Sequence, residues 1–371
     1  MREDNYRLAV TLRHELHRHP ELSMEESWTK AHIMDFLRRH TCLELVDRGR
    51  WFYAVRRAGE GRPSIAFRAD MDAVPVEEPA DLTPYGSQCP GVGHKCGHDG
   101  HSASLAAFAL ELEGSRVDRN VFLLFQHAEE TGQGALECVD FLRENSISEI
   151  YAFHNLPGLP LGTLAVPDNV AQPASTGMIM SFTGQKSHAS YPEDGRNPAF
   201  AIGEILTAIP ALTGPDRYQG LALITVIQVS VGERAFGTSA GYGELLLTVR
   251  GEFETELNGL LRTLESLAQE KAERYGLQCA VTYADVFPET RNHPQAAARG
   301  WEAARKAGIS MTANHGMFRA SEDFGYYTKQ IPGAMFYLGS GDVAPLHTAE
   351  YDFPDRLIDT AEKIFLHMAM T

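Results

Sequence analysis

Within the eight residues His94-Lys95-Cys96-Gly97-His98-Asp99-Gly100-His101 lie three imidazoles, a thiol and a carboxylate. A hydrophobic core has no use for such a run. A site for a borderline metal ion does, because imidazole nitrogen and thiolate sulfur suit Zn²⁺ and its neighbours. Two further acids, Glu129 and Glu130, follow a continuous apolar run. Being adjacent, they cannot readily serve one metal with the same geometry, so one as ligand and the other as general base is the natural division. Cys96 could instead be a nucleophile with a histidine as its base. That reading leaves Glu129, Glu130, His154 and Asp70 without work, which favours a ligand role for the thiol.

The elements around these residues explain how they could meet. Ser64 to Arg68 reads as a core strand that runs into Ala69-Asp70-Met71-Asp72. Val121 to Gln126 reads as a buried parallel strand that runs into His127-Ala128-Glu129-Glu130. Ile150 to Phe153 is a third strand, ending at His154. In an open α/β sheet, sites form outside the carboxyl ends of the strands, so these side chains converge on one edge. A helix from Ser102 to about Leu112 carries the histidine-rich run to the same edge. Upstream, a helix over Asn5 to His19 stops at Pro20, and Ser23 with Glu26 forms a capping-box signature before a helix reaching about Arg39.

From about residue 175 the pattern changes. Strand 178–183, helix 198–209, strands 222–231 and 244–250, helix 254–275 and strand 278–286 give βαββαβ, the ferredoxin-like order. We read 175–289 as an inserted second domain and 1–174 with 290–371 as one metal-binding α/β domain. His188 follows the first strand of the insert and Arg250 closes its third. After the insert, a helix at 295–306, a helix start at Ser321-Glu322-Asp323-Phe324, a strand at 333–338, the loop Pro345-Leu346-His347-Thr348 and a final helix at 355–368 resume the α/β pattern.

Bulk properties narrow the class. The 371 residues are 43% hydrophobic and 22% charged, with a net charge of −16. Such acidity argues against nucleic acid or an anionic membrane as partner. No apolar run approaches the roughly 20 residues of a membrane span. The five scattered cysteines are no disulfide framework, and the first residues lack a signal-peptide core, so a cytoplasmic location is expected.

The chain resembles the aminoacylase/carboxypeptidase metallopeptidase superfamily, in its branch of auxin–amino-acid conjugate hydrolases, aminobenzoyl-glutamate hydrolases and bacterial N-acyl-amino-acid amidohydrolases. The resemblance rests on Leu16-His17-Arg18-His19-Pro20-Glu21, Arg68-Ala69-Asp70-Met71-Asp72-Ala73, Cys96 to His101, Ala128-Glu129-Glu130 and Phe153-His154-Asn155-Leu156-Pro157. Gly184 to His188, Ser321-Glu322-Asp323-Phe324 and Leu346-His347 extend it along nearly the whole chain. It implies a mixed-sheet zinc-peptidase-like catalytic domain with an inserted lid and dimerisation domain. It implies that Cys96, His98, Glu130, His154 and His347 bind two divalent metal ions, that Glu129 is the general base, that Asp72 orients a ligand, and that His188 assists the oxyanion, often across a dimer interface. The chain departs from the branch in having His127 where proline is common. It also lacks an Asn-x-Ile-Pro run in Val231 to Thr238.

The expected protein is a metal-dependent amidohydrolase, a homodimer, that cleaves an N-acyl amino acid or related small amide through a metal-bound hydroxide. Arg250 would hold the substrate carboxylate. The metals fit Zn, Mn, Co or Ni alike. A di- or tripeptidase of the same superfamily and an inactive ligand-binding relative are the alternatives. His94, Asp99 and His101 are expected to orient ligands rather than to be ligands, and His127 to sit behind the ligands.

Overall fold

A computed structural model describes residues 1–214, 216–312 and 316–371. The chain forms two units: Met1–Ala171 with Thr290–Phe318 and Glu322–Thr371, and Gln172–Glu289 with Arg319–Ser321.

The first unit opens with α1 (Glu3–Arg18), α2 (Ser27–His40), β1 (Glu44–Asp47), β2 (Phe52–Arg56) and β3 (Ser64–Asp70). It continues through α3 (His98–Leu112), β4 (Asn120–Gln126), α4 (Gly134–Cys138), α5 (Asp140–Glu144), β5 (Ile147–Pro157), β6 (Leu164–Ala165) and β7 (Val170–Gln172). The second unit holds β8 (Ala174–Thr183), α6 (Ala199–Leu212), β9 (Ala222–Val231), β10 (Tyr242–Gly251), α7 (Glu254–Arg274) and β11 (Gln278–Phe287). The chain then returns to the first unit with β12 (Thr290–Arg291), α8 (Pro294–Lys306), α9 (Gly325–Thr328), β13 (Gly333–Gly341) and α10 (Arg356–Ala369).

The large sheet of the first unit has the order β1-β2-β4-β3-β5-β13-β6. Its centre, β4-β3-β5-β13, is parallel throughout, and β1, β2 and β6 are antiparallel to their neighbours. Every residue of β3 is buried, as a parallel strand covered on both faces must be. Alternate residues serve opposite faces. Ile65 and Phe67 pack with α3 and α10 side chains such as Phe108 and Phe365, while Ala66 packs with Phe122, Phe141 and Tyr327. Parallel order places the ends of β3, β4 and β5 along one edge. The candidate donors lie there.

Four local departures from the sequence reading occur, and in the last two, side chains near that edge take partners across the fold. The helix expected from Ser102 begins at His98, because Gly97 adopts φ 100° and turns the chain directly into it. The helix expected over 134–144 is divided into α4 and α5. The capping box at Ser23 and Glu26 does not form. Ser23 Oγ donates to Asp72 Oδ2 (2.7 Å), and the Glu26 carboxylate accepts the Ala128 amide (2.7 Å). Ser321 to Phe324 begins no long helix. Glu322 and Asp323 turn inward to Arg68, and only the four residues of α9 follow.

In the second unit the sheet order is β11-β8-β10-β9, antiparallel throughout. With α6 and α7 packed on one face this is the ferredoxin-like arrangement. Alternating burial along β10 sends Leu245, Leu247 and Val249 into the core with Met178, Met180, Leu260 and Leu264. The edge strand β9 is exposed over its central positions, where Val226, Ile227 and Val229 face solvent.

Candidate metal centre

Five donors meet at the edge of the first unit. Cys96 and His98 flank the turn into α3, Glu130 follows β4, His154 lies within β5, and His347 comes from the loop after β13. Cys96 Sγ is 3.4 Å from His154 Nε2. His98 Nε2 is 3.7 Å from Glu130 Oε1, which is 3.4 Å from His347 Nε2. One donor atom from each of Cys96, His98 and His154 lies within 4.8 Å of the others, and the same holds for Cys96, Glu130 and His347. Cys96 is common to both triads, as a side chain shared between two cations would be.

These residues fit a pair of cations on their own chemistry. His98 Nε2 and Glu130 Oε1 are buried, face each other at 3.7 Å and have no hydrogen-bond partner among the described residues. Leaving a buried polar atom unpaired costs about 1–3 kcal/mol. Separations near 3.5 Å are those of donors each about 2.0–2.3 Å from one cation. Burial pushes the Cys96 thiol well up, and Glu130, Glu129 and Asp70 push it further. A nucleophilic cysteine needs the opposite shift, whereas a coordinating cation ionises the thiol.

The ring orientations are fixed from behind. His98 Nδ1 is 3.0 Å from Asp72 Oδ1. The other Asp72 oxygen accepts Ser23 Oγ and, at 3.0 Å, the Glu130 amide. Asp72 therefore orients two donors at once. His154 Nδ1 lies 2.8 Å from the Asn155 carbonyl, which assigns the proton to Nδ1 and leaves the Nε2 lone pair facing Cys96. Burial holds the His154 imidazole well below its usual range, so it stays neutral. For His98, burial pushes down but Asp70, Asp72 and Glu130 outweigh it and lift the imidazole to about 10.

Among the described residues, the other members of the histidine run make no hydrogen bond to a candidate donor, so the expected orienting role of His94, Asp99 and His101 is not seen. His101 sits between Asp70 Oδ1 (2.6 Å) and Asn155 Oδ1 (2.5 Å). Asp99 is buried against Arg13 (3.2 Å) and His17 (2.8 Å). His94 is buried with neither ring nitrogen hydrogen-bonded, and burial pushes it down to about 4, so it stays neutral. A Cβ on Gly97 would lie 2.5 Å from Asn155 Oδ1, so only glycine permits this approach between Cys96 and His98. His127 turns away from the donors, with Nε2 3.1 Å from Glu137.

Glu129 is buried with its Oε2 3.9 Å from His98 Nε2. Burial pushes its carboxyl well up, and Glu322, Glu130 and Asp323 act the same way against Arg68. The turn that presents it is strained: Ala128 has φ 48°, held where Glu26 accepts its amide. Glu26 is itself lifted to about 7, chiefly by burial. The surround of Arg68, Glu26, Glu322 and Asp323 differs from the sequence expectation, in which Glu26 capped a helix and Glu322 and Asp323 began one. The available signal was charge within otherwise apolar stretches, with Arg68 two residues before Asp70.

His188 and Arg250 belong to the second unit. His188 is exposed, and its Nδ1 accepts the Ser190 amide at 3.1 Å. Arg250 Nη1 donates to Ser321 Oγ (2.7 Å) and to the Arg319 carbonyl (3.2 Å).

The sequence pattern of Peptidase family M20/M25/M40 matches residues 66–371. The N-acetylcysteine deacetylase of Bacillus subtilis is 27% identical over 368 residues, covering 97% of this chain and 96% of that one. A dinuclear metal-binding peptidase of the M20 family from Bacillus subtilis superposes with a TM-score of 0.84 at 25% identity, over 100% of this chain and 98% of that one. The aminobenzoyl-glutamate utilization protein of Klebsiella pneumoniae shares the fold, with a TM-score of 0.73 at 19% identity over 99% and 97% of the chains. With the family pattern spanning residues 66–371, the chain belongs to Peptidase family M20/M25/M40.

Proposed function

We propose that this protein, a metal-dependent amidohydrolase, cleaves the amide bond of an N-acyl amino acid or a related small amide. The observation that carries the reading is the donor cluster, in which Cys96 joins His98 and His154 on one side and Glu130 and His347 on the other. In this reading those five residues hold two divalent cations. When bound, the cations polarise the scissile carbonyl and lower the pKa of water. Glu129, beside the donors, takes the proton of the attacking water and delivers it to the departing nitrogen. Asp72 keeps His98 and Glu130 aimed. His188 donates to the oxyanion as charge develops, and Arg250 holds the substrate carboxylate through a guanidinium fork.

The small acyl substrate is supported by the B. subtilis relative, whose name describes removal of an acetyl group from N-acetylcysteine. A panel of N-acetyl, N-benzoyl and longer N-acyl amino acids against di- and tripeptides tests it. We expect kcat/KM at least about tenfold higher on the best acyl amino acid than on any peptide, a difference of about 1.4 kcal/mol. The reverse order would make the protein a peptidase.

We also propose a homodimer formed through residues 175–289. Its support is β9, an edge strand with unpaired backbone and exposed Val226, Ile227 and Val229. Light scattering should give twice the chain mass of 40.9 kDa, and Ile227→Asp should shift it towards the monomer. A monomeric wild type at micromolar concentration would refute this. Among the described residues no helix is long and apolar enough to cross a membrane. A cytoplasmic location suits the reading, because a ligating thiolate must stay reduced.

A further inference from the structure

The Arg68 guanidinium is buried, and its charge acts on Glu129. Nε donates to Gln126 Oε1 (2.9 Å), Nη1 to Asp70 Oδ2 (2.7 Å) and Nη2 to Asp323 Oδ1 (2.8 Å). Nη2 also meets Glu322 Oε1 at 3.1 Å. The two acids on Nη2 are themselves held. Glu322 Oε1 accepts the Phe324 amide (3.0 Å), and Asp323 Oδ2 accepts the Ala135 amide and Gln126 Nε2 (both 2.8 Å). One oxygen each of Glu129, Glu322 and Asp323 lies within 4.8 Å of the others. Glu129 thus lies beside the two acids that pair with Arg68 Nη2.

A buried guanidinium with an open N–H would capture a neighbouring carboxylate, since forked arginine–carboxylate pairs are among the strongest charge-assisted contacts. A captured Glu129 would have its oxygens occupied and turned away from the donors. We propose that Glu322 is a positioning residue for Glu129: by pairing with Arg68 Nη2 at 3.1 Å, beside Glu129, it denies that nitrogen to the base. Asp323 fills the same nitrogen but is committed to Gln126 and Ala135, so Glu322 is the partner whose loss opens a place for Glu129. The effect passes through an acceptor oxygen and needs no charge on Glu322 itself. This inference rests on Glu129 being the general base.

The test compares Glu322→Met, which keeps the volume and removes the acceptor, with Glu322→Gln, which keeps an oxygen for Arg68. We expect E322M to lose roughly 30-fold in kcat, as a base misplaced by about 1 Å would, with KM within about threefold and metal content by elemental analysis unchanged. E322Q should stay within about threefold of wild type in kcat. A wild-type kcat in E322M overturns the proposal. So does a loss in E322M accompanied by loss of metal, which would make Glu322 a support of the donors. Equal losses in both variants would mean that charge, not the acceptor, matters, and overturn it as well. If E322M does not fold, E322Q alone decides: a drop beyond tenfold with metal retained refutes the acceptor role. Glu129→Gln, run beside them, separates the two levels. An active E129Q removes the premise, whereas an inactive E129Q beside a wild-type-like E322M removes only this inference.

Discussion

Glu129→Gln should lower kcat roughly 10³-fold, within the range that positioned general acid–base groups contribute, while both metals remain bound. Glutamine has the same shape and reaches the same place 3.9 Å from His98 Nε2, but it cannot accept a proton from water. The metal donors are untouched, because Glu130 and not Glu129 stands between His98 and His347. Elemental analysis and steady-state rates on one acyl substrate check this, and a variant near the wild-type rate would remove Glu129 as the base. Stability supplies an independent sign. The Glu129 carboxyl is pushed up in the folded protein, chiefly by burial, so the metal-free folded state holds a proton that the unfolded chain releases. That group costs stability once pH exceeds the unfolded value of about 4.3 and costs nothing below it. Metal-free E129Q should therefore melt higher than metal-free wild type at pH 7, with the gain shrinking towards about pH 4.

Removal of the metals should abolish turnover and return it on reloading. The chain alone offers the bond no Lewis acid: the groups around Cys96 are carboxylates, histidines and a thiol that burial keeps protonated. Dialysis against a chelator, then titration with Zn²⁺, Mn²⁺, Co²⁺ or Ni²⁺, is the measurement, and full activity in metal-free protein would overturn the proposed mechanism. Loading should strengthen as pH rises, because ligands bind deprotonated. His98, lifted to about 10 by Asp70, Asp72 and Glu130 against its burial, and Cys96, pushed well up, both surrender protons to a cation. Loaded protein should also melt higher, by about 2.7 kcal/mol of stability at metal concentrations of 100 Kd.

Much of this centre could be read from the chain because the relevant signals are local. Asp70 ends and Glu130 follows an apolar strand, His154 lies within one, and Cys96 and His98 stand two residues apart at the start of a helix. The ferredoxin-like order was equally legible, since each of its strands and helices carries its own period. What escaped was decided by partners far along the chain. Ser23 and Glu26 have the spacing of a capping box, yet their side chains bind Asp72 and Ala128, and the Trp28 and Thr29 amides at the start of α2 are taken by the Glu21 carboxylate instead. Glu322 and Asp323 look like a helix start and are instead counter-ions to an arginine over 250 residues away in sequence. Arg68 itself looked like a strand end, although its side chain is 1% exposed. His127, expected behind the ligands, instead pairs with Glu137.

His347 enters the centre with φ 60°, and its amide donates to the Lys95 carbonyl at 2.8 Å, one residue before Cys96. Lys95 Nζ in turn donates to the Tyr351 carbonyl, 256 residues further on. The loop bearing the first donor is thus sewn to the segment bearing the last. Contacts of such separation form late, after the intervening chain has collapsed. Bound metal is then a gauge of completion: the occupied fraction reports how many molecules have brought their C-terminal segment home, and damage near residue 350 should register first as lost metal rather than lost secondary structure.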